Sequence, residues 1–512
     1  MADKEYTQNI KQICELLQSD PTPEVIQGLR DAFETLGKQL KAGPFLEVFE
    51  ATLSSIPFSA LFSLLAAPDN KLIVTVAEVT GQLLKPVTWE MVHQTFEEYI
   101  VQGLAHPHPV VKTLVLRQFL KCEDKTAPFS THYGPNVWKC LEGPKENEAT
   151  HLAKQVLIHL SDRGILMEYL LSEESVSTIK QLLAGNASQR FRVYDVVVSA
   201  IKNTDSAFEF FRQEGIMDRF LQEGDTSDVL VAMNFYELLP TLCQSSVTYE
   251  YLDSSAVFTD ALAQVDLSNT EPSVTSSLLR VSILKLFSRM ADAEGISPPD
   301  FYGKYAIAPK MAGLIEESDD MDLKVTAIAC IGAIGNNPKA LGYLAQEKTA
   351  LDALAAAYKS SYGQLRVECL RAIACIFGYS LTPSGELSQT CYDLYTKLDQ
   401  IQFLVAVTKE IMKGFEDTGI AGLAVIEKMV RHAWGLHEVA SYRNILNFLL
   451  MRDSSREKTV QKWQYSVLET IVNAPDARKE FAEDVWTRLT QYVKDGPYYA
   501  AASAQVALGS AS

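Results

Sequence analysis

The 512-residue sequence contains few of the residues that interrupt regular structure: 26 are glycine and 20 are proline. This scarcity argues against a disordered or fibrous chain. No apolar run approaches the roughly 20 residues that a membrane helix needs. The opening stretch MADKEYTQNIKQICELL is acidic and lacks the apolar core of a secretory signal. We therefore expect a soluble intracellular protein without membrane association.

Cysteine is also scarce, with eight residues and no CxxC pair, so neither a zinc site nor a disulfide framework is expected. His106 and His108 lie two apart in HPHP, but prolines at a helix start explain them better than a metal, because no third ligand is apparent. Cys330 and Cys369 stand at or next to small apolar positions of a helix, which favours buried thiols over nucleophiles.

Catalytic motifs are missing as well: the sequence has no GxxxxGK[ST], no GxGxxG after a strand, no GxSxG and no HExxH. One acidic run reads Glu316, Glu317, Asp319, Asp320 and Asp322. It indicates a solvated loop that caps a helix, since calcium would need a tighter ligand pattern. We expect no catalytic residue, no metal, no cofactor and no enzymatic activity.

Positive charge is in the minority, and the formal net charge is −18. This balance opposes binding to nucleic-acid phosphates or to anionic lipid, both of which require basic surface. It permits a basic protein partner, although simple solubility explains it equally well.

What the sequence does contain is a repeated phrase. LKVTAIACIGAI starts at Leu323, and LRVECLRAIACI starts 42 residues later at Leu365. In both, apolar or small residues stand at the start and at the fourth, fifth and eighth positions after it, which form one stripe of a helix. The same template, with weaker copies at 25, 72, 191 and 230, starts at residues 25, 72, 111, 152, 191, 230, 279, 323, 365, 421 and 463.

This spacing is the period of HEAT or armadillo repeats, about 40–47 residues. A single helical hairpin buries too little apolar surface to fold alone, so the repeats must stack. We predict an all-α, HEAT/armadillo-like α-solenoid of about eleven helical repeats, forming one domain over residues 1–497. Residues 498–512 are predicted to be a low-complexity, disordered tail. Inserted loops are expected at 268–277 and within 382–390.

Basic residues recur directly after four template starts, at Lys112, Arg192, Lys324 and Arg366. These four residues could form a basic row that binds an acidic partner, but we favour ion pairs between adjacent repeats. Importin-type armadillo proteins hold basic peptides with a Trp and an Asn four residues later. The residues four after the five tryptophans are His93, Glu142, Glu438, Val467 and Thr490, which disfavours that groove.

Several phrases resemble the proteasome non-ATPase regulatory subunit 5 family: HPHPVVKTL (106–114), RFRVYD (190–195), QLRVECLRAIACI (364–376) and RLTQYVKDGPYYA (488–500). The resemblance implies a non-enzymatic assembly chaperone of the proteasome regulatory particle, without a cofactor. It also implies binding to the C-terminal domain of a base ATPase subunit, with associated base subunits, and prevention of premature docking on the core particle.

The resemblance carries no motif that assigns partner-binding residues, so these stay unknown at the level of sequence. The alternative is a generic armadillo-type adaptor for another partner. We expect the protein in the cytoplasm, with the nucleus as a second location.

Overall fold

The computed structural model describes residues 2–42, 52, 54–123, 133–142, 147–266, 274–379, 385–453 and 455–498. Within these ranges the chain forms helices and turns, and none of them contains a strand. The all-α, HEAT/armadillo-like prediction is confirmed. The chain separates into two compact units, Met1–Asp225 (unit 1) and Thr226–Ser512 (unit 2). The single domain over 1–497 stays a prediction, and the predicted tail lies, apart from Tyr498, outside the described residues.

The helices of unit 1 are α1 Ala2–Leu17, α2 Pro23–Ala42, α3 Phe58–Leu65, α4 Asn70–Leu84, α5 Trp89–Ala105, α6 Pro109–Phe119, α7 Gly134–Lys139, α8 Glu148–Asp162, α9 Met167–Leu170, α10 Glu173–Leu183, α11 Ala187–Asn203, α12 Asp205–Gln213 and α13 Ile216–Gln222.

The helices of unit 2 are α14 Val229–Leu242, α15 Ser246–Ser254, α16 Val257–Val265, α17 Val274–Arg289, α18 Pro298–Lys304, α19 Ile307–Glu317, α20 Met321–Asn336, α21 Pro338–Glu347, α22 Thr349–Ser360, α23 Gly363–Phe377, α24 Gly385–Lys397, α25 Ile401–Met412, α26 Glu416–Met429, α27 Ala433–Ser441, α28 Arg443–Leu450, α29 Lys458–Asn473, α30 Ala477–Glu480 and α31 Glu483–Asp495.

Each of the eleven template starts falls in a different helix, and we call these the template helices: α2, α4, α6, α8 and α11 in unit 1, and α14, α17, α20, α23, α26 and α29 in unit 2. The predicted stripe forms the core. All four template residues of α20, from Leu323 to Ile331, are buried. In α23 the last three are buried and Leu365 is partly exposed. The weak copy at Leu230 is an exception, because this side chain is 68% exposed.

In unit 2 successive template helices pack side by side and run in the same direction. The Cys330 thiol in α20 lies 3.3 Å from the Leu284 carbonyl oxygen in α17. Just past the ends of the same two helices, the Asn337 side-chain amide donates to the Ala291 carbonyl oxygen at 2.9 Å. These contacts join residues at a constant sequence offset and form the interface between repeats. Such interfaces stabilise single repeats that are too small to fold alone.

The number of helices per repeat changes along the chain. Near the start, α5 is the one described helix between template helices α4 and α6, which is the HEAT-like hairpin. From α8 onward two α-helices stand between successive template helices, for example α9 and α10 in unit 1 and α21 and α22 in unit 2, which is the armadillo-like triplet. The helical hairpin expected for each repeat is therefore wrong from α8 onward. Asn337 caps α21 and Pro338 occupies its first turn, so a short extra helix fits within the same period.

The predicted inserted loops need a correction at one end of each. Residues 274–277 begin α17, and residues 385–390 begin α24, so both stretches are helical. Residues 267–273 and 380–384 lie outside the described part of the chain. Searched over the described ranges, no helix combines the length and the hydropathy that crossing a bilayer demands.

Candidate partner-binding face

Four template helices of unit 2 expose side chains at the sixth and tenth positions after the template start. Steps of six and ten residues lead to the helix side opposite the buried stripe. We call this surface the ladder face; it consists of Lys285 and Arg289, Ala329 and Ala333, Arg371 and Cys375, and Glu469 and Asn473. All are exposed except Ala329, which is partly exposed.

Two of the charges on the ladder face are balanced by neighbours within unit 2. Arg289 donates to the Glu237 carbonyl oxygen at 3.2 Å, and its guanidinium lies 4.0 Å from that residue's carboxylate. Arg371 pairs with Glu368 at 3.3 Å. Exposed pairs of this kind add little stability. The side chains are short at Ala329 and Ala333 and polar around them, so the face is a low, polar surface that a folded partner could approach. It is not shaped as a pocket for a small molecule.

The basic residues that follow the template starts do not form one set. Arg366 lies 3.8 Å from Glu410 in the following repeat and stacks over Tyr358, so for this residue the predicted inter-repeat ion pair is confirmed. Arg192 is buried, and it donates to the carbonyl oxygens of Ser188 and Leu141, each at 3.0 Å.

The remaining two, Lys112 and Lys324, have no carboxylate within 4.0 Å among the described residues. The predicted ion pair is therefore wrong for Lys112 and Lys324. The template fixes the direction of the side chain but not its partner, because the partner belongs to a helix that the template does not describe.

Unit 1 carries a groove of about 540 Å³ between template helices α2, α4 and α6 and the start of α8. Its basic lining residues are Lys41, Lys85, Arg117 and Lys121, and its acidic ones are Glu78 and Glu148. The Lys121 ammonium is held by the Leu84 carbonyl oxygen at 2.5 Å, the Val87 carbonyl oxygen at 3.0 Å and the Gln118 side chain at 2.8 Å. Burial lowers the pKa of Lys121 to about 8.

The histidine and cysteine candidates from the sequence serve the fold rather than a functional site. His108 caps α6, and its Nδ1 accepts from the Val110 amide at 3.3 Å. Burial raises the pKa of Cys330 and of Cys369 to about 12, so both thiols stay protonated and are poor nucleophiles. Searched for groups of three or more histidine, cysteine or acidic residues, the described ranges contain none placed to hold a metal ion.

The acidic run caps a helix, as predicted. The Asp320 carboxylate accepts from the amides of Asp322 and Leu323 at 2.9 and 3.2 Å, and from the Ser277 hydroxyl of the preceding template helix. The hydrogen bond from Ser277 has the largest effect on the pKa of Asp320, and together with the two amide bonds it holds that pKa below its usual value.

The sequence alone assigned no partner-binding residue, yet in α17, α20, α23 and α29 the ladder face follows from the template by counting six and ten positions onward. In α26 the same count gives Glu427, which is buried, and Arg431, which is partly exposed, so the face is interrupted there. The groove of unit 1 carries no such signal, because its lining residues come from four helices that are far apart in the sequence.

Comparison with known families and proteins gives a consistent result. A family model described as "Proteasome non-ATPase 26S subunit" matches residues 18–511. The 26S proteasome non-ATPase regulatory subunit 5 of Bos taurus is 22% identical over 481 residues, covering 89% of this chain and 93% of that protein. The Drosophila melanogaster protein of the same name is 22% identical over 453 residues, covering 86% of each chain.

Among solved structures, yeast importin-beta (Kap95p) matches with a TM-score of 0.57 at 12% identity over 91% of this chain. Kap95p in a structure with RanGDP matches with a TM-score of 0.56 at 13% identity over 94% of it. This chain spans 63% and 66% of those two chains, less than two thirds of each. At such identity the likeness concerns the helical-repeat fold alone.

Proposed function

Because this chain belongs to the proteasome non-ATPase 26S subunit family, we propose that it is an assembly chaperone of the base of the proteasome regulatory particle. The observation that carries the proposal is the family match over residues 18–511. Relatives of similar length are named as 26S proteasome non-ATPase regulatory subunit 5, so the role of this chain is related to the proteasome. The chaperone role goes beyond those names.

In this proposal the ladder face contacts the C-terminal domain of one base ATPase subunit. The occupied domain is then sterically prevented from docking on the core particle until the chaperone leaves. The low, polar ladder face supports this step, because it suits contact with a folded domain and offers no enclosed site for chemistry. The protein acts by binding rather than by catalysis, in the cytoplasm and also in the nucleus.

The test is a binding assay with the purified C-terminal domain of each base ATPase subunit in turn. The full chain is expected to retain one of these domains. Ala333→Trp, which places a large ring on the ladder face, should weaken that binding at least about tenfold. Lys339→Trp is the matched control, because Lys339 is also exposed but lies on α21, away from the ladder face.

Failure to retain any of the ATPase domains contradicts the chaperone proposal. In that case, co-purification of unrelated proteins from a cell extract would favour the generic adaptor instead.

A further inference from the structure

Large apolar side chains are exposed near the starts of the template helices of unit 2. Four of them occupy the capping position or the first two residues of a template helix: Leu230, Met321, Tyr362 and Phe415. Three lie farther from a start: Leu278 is the fifth residue of α17, Met412 ends α25 and Met451 directly follows α28. We call these seven side chains, between 47 and 87% exposed, the apolar edge. Elsewhere in the described residues four other large apolar side chains are exposed, namely Met91, Val247, Ile401 and Tyr498. The concentration on one edge therefore requires an explanation.

The starts of neighbouring template helices lie close together, because these helices run in the same direction. The bond from the Ser277 hydroxyl to Asp320 joins the starts of α17 and α20. The contact of Arg366 with Glu410 at 3.8 Å joins the start of α23 to the last turn of α25, which leads into α26. Neighbouring helices pack about 10 Å apart, so the edge offers an apolar side chain at roughly that interval.

Helix formation does not account for these residues. Tyr362 and Phe415 occupy the capping positions of α23 and α26, and neither side chain makes a capping hydrogen bond. Serine, threonine or aspartate would stabilise a helix at this position. The start of α20 shows this alternative, where Asp320 caps the helix and Met321 follows it, exposed. Repeatedly exposed apolar residues without a folding role are typical of docking surfaces.

Acidic side chains lie between the apolar ones. Met321 is flanked by exposed acids on both sides, and Phe415 is followed directly by two. The exposed acids next to the edge are Asp228, Glu316, Glu317, Asp319, Asp322, Glu416 and Asp417. Across the described ranges, none of these seven has a lysine or arginine nitrogen within 4.0 Å.

Two bases close to the edge are engaged elsewhere. Lys413 pairs with Glu410 at 2.8 Å, and Arg452 donates to the carbonyl oxygens of Gly496 and Tyr492 at 2.9 and 3.0 Å. A third base, Lys324 in the first turn of α20, has no carboxylate within 4.0 Å among the described residues, so it forms no ion pair with the acids of the edge. Around Met321 and Phe415 the edge is therefore apolar and acidic together.

We propose that the apolar edge binds a basic, amphipathic segment of a partner protein, in which large apolar residues alternate with lysine or arginine. The apolar residues cover the seven side chains of the edge, and the basic residues meet the acids between them. In its full form the inference rests on the proposed function, with the segment belonging to the bound ATPase subunit.

The test uses two substitutions at the edge, Tyr362→Ser together with Phe415→Ser, in the full chain. The matched control is Val247→Ser together with Ile401→Ser, exposed residues at the starts of α15 and α25 that are not on the edge. The probes are the ATPase C-terminal domain that the wild type retains, and a lysine- and leucine-rich amphipathic peptide of about 18 residues. A peptide with glutamate in place of lysine gives the charge control.

The wild type and the control variant should bind the domain and the basic peptide, and the edge variant should bind both at least about tenfold more weakly. The acidic peptide should not bind. Circular dichroism melting verifies that the edge variant folds. A separate variant, Glu317→Gln with Asp319→Asn, should weaken peptide binding and reduce its dependence on salt.

The two proposals fail in different ways. One outcome is that the wild type binds no ATPase domain but binds the basic peptide, and that the edge variant does not bind this peptide. The chaperone proposal is then wrong, and the proposal for the apolar edge is supported. If the edge variant binds the domain and the peptide as tightly as the wild type, the edge is wrong and the chaperone proposal stands. Equal binding of the acidic and basic peptides also overturns the edge proposal.

Discussion

A single histidine joins three elements of unit 2. His432 is buried, and its Nε2 lies 2.8 Å from the Phe377 carbonyl oxygen at the end of α23. A carbonyl cannot donate, so Nε2 carries the proton and Nδ1 accepts from the Ser388 hydroxyl of α24 at 2.9 Å. Burial, as the largest cause, lowers the pKa of His432. The neutral ring is therefore the form that the fold needs.

Stability should fall in acid because of this residue. In the unfolded chain the imidazole becomes protonated near pH 6.5, whereas in the folded chain it becomes protonated only at lower pH. His432→Gln keeps an N–H donor but does not titrate. We expect it to be about 1–3 kcal/mol less stable than the wild type at pH 7.5. The difference should shrink as the pH falls below about 6.5, because only the wild type is penalised there.

The measurement is urea unfolding of both proteins between pH 7.5 and 5.5. Taking the difference between them removes the contributions of His106 and His159, whose pKa values are also lowered by burial. A difference that does not change with pH would contradict the prediction.

At the scale of the helix, the close approach of α20 and α23 depends on a residue without a side chain. A Cβ atom on Gly332 would lie 2.6 Å from the Cα atom of Ala372 and 2.9 Å from its Cβ atom. The obstacle is backbone rather than a flexible side chain, so the helices would have to separate. The small residues of the repeated phrases are thus part of the repeat interface.

Gly332→Ala should therefore destabilise the protein by about 1–3 kcal/mol, as overpacking usually does. Gly313→Ala in α19 is the control, because nothing lies within 4 Å of a Cβ atom there. It should stabilise the helix by up to about 1 kcal/mol through propensity alone. Thermal unfolding of the wild type and the two variants measures both changes in stability, which should have opposite signs. Equal shifts in Tm for the two variants would refute the packing argument.

Local periodicity predicts the elements well and their partners poorly. The stripe that begins at Leu323 is buried as expected, because a helix alone determines which residues share a side. The same logic fails at Leu230, where the first template position projects beyond its neighbours and is exposed. Lys324 has no acidic partner among the described residues, and the sequence gives no sign that Tyr362 is exposed. Both depend on which other helix stands opposite, and the sequence period contains no information on that.

At the scale of the whole molecule, charge is the property most open to test. The chain has 64 acidic and 46 basic residues, and the acids beside the apolar edge are among those without a basic partner in the described ranges. Long-range attraction should therefore accelerate the encounter with a basic partner. This effect concerns the rate of association more than the lifetime of the complex, because contacts that exclude water control dissociation.

The association rate with the retained ATPase domain should consequently fall about tenfold or more as salt rises from roughly 50 to 500 mM, while the dissociation rate changes little. Stopped-flow fluorescence or surface plasmon resonance separates the two rates. In Glu317→Gln with Asp319→Asn the association rate should depend less on salt, since two of the attracting charges are absent. An association rate independent of salt in the wild type would mean that the surplus negative charge serves solubility alone and that the partner is not chosen by its basic character.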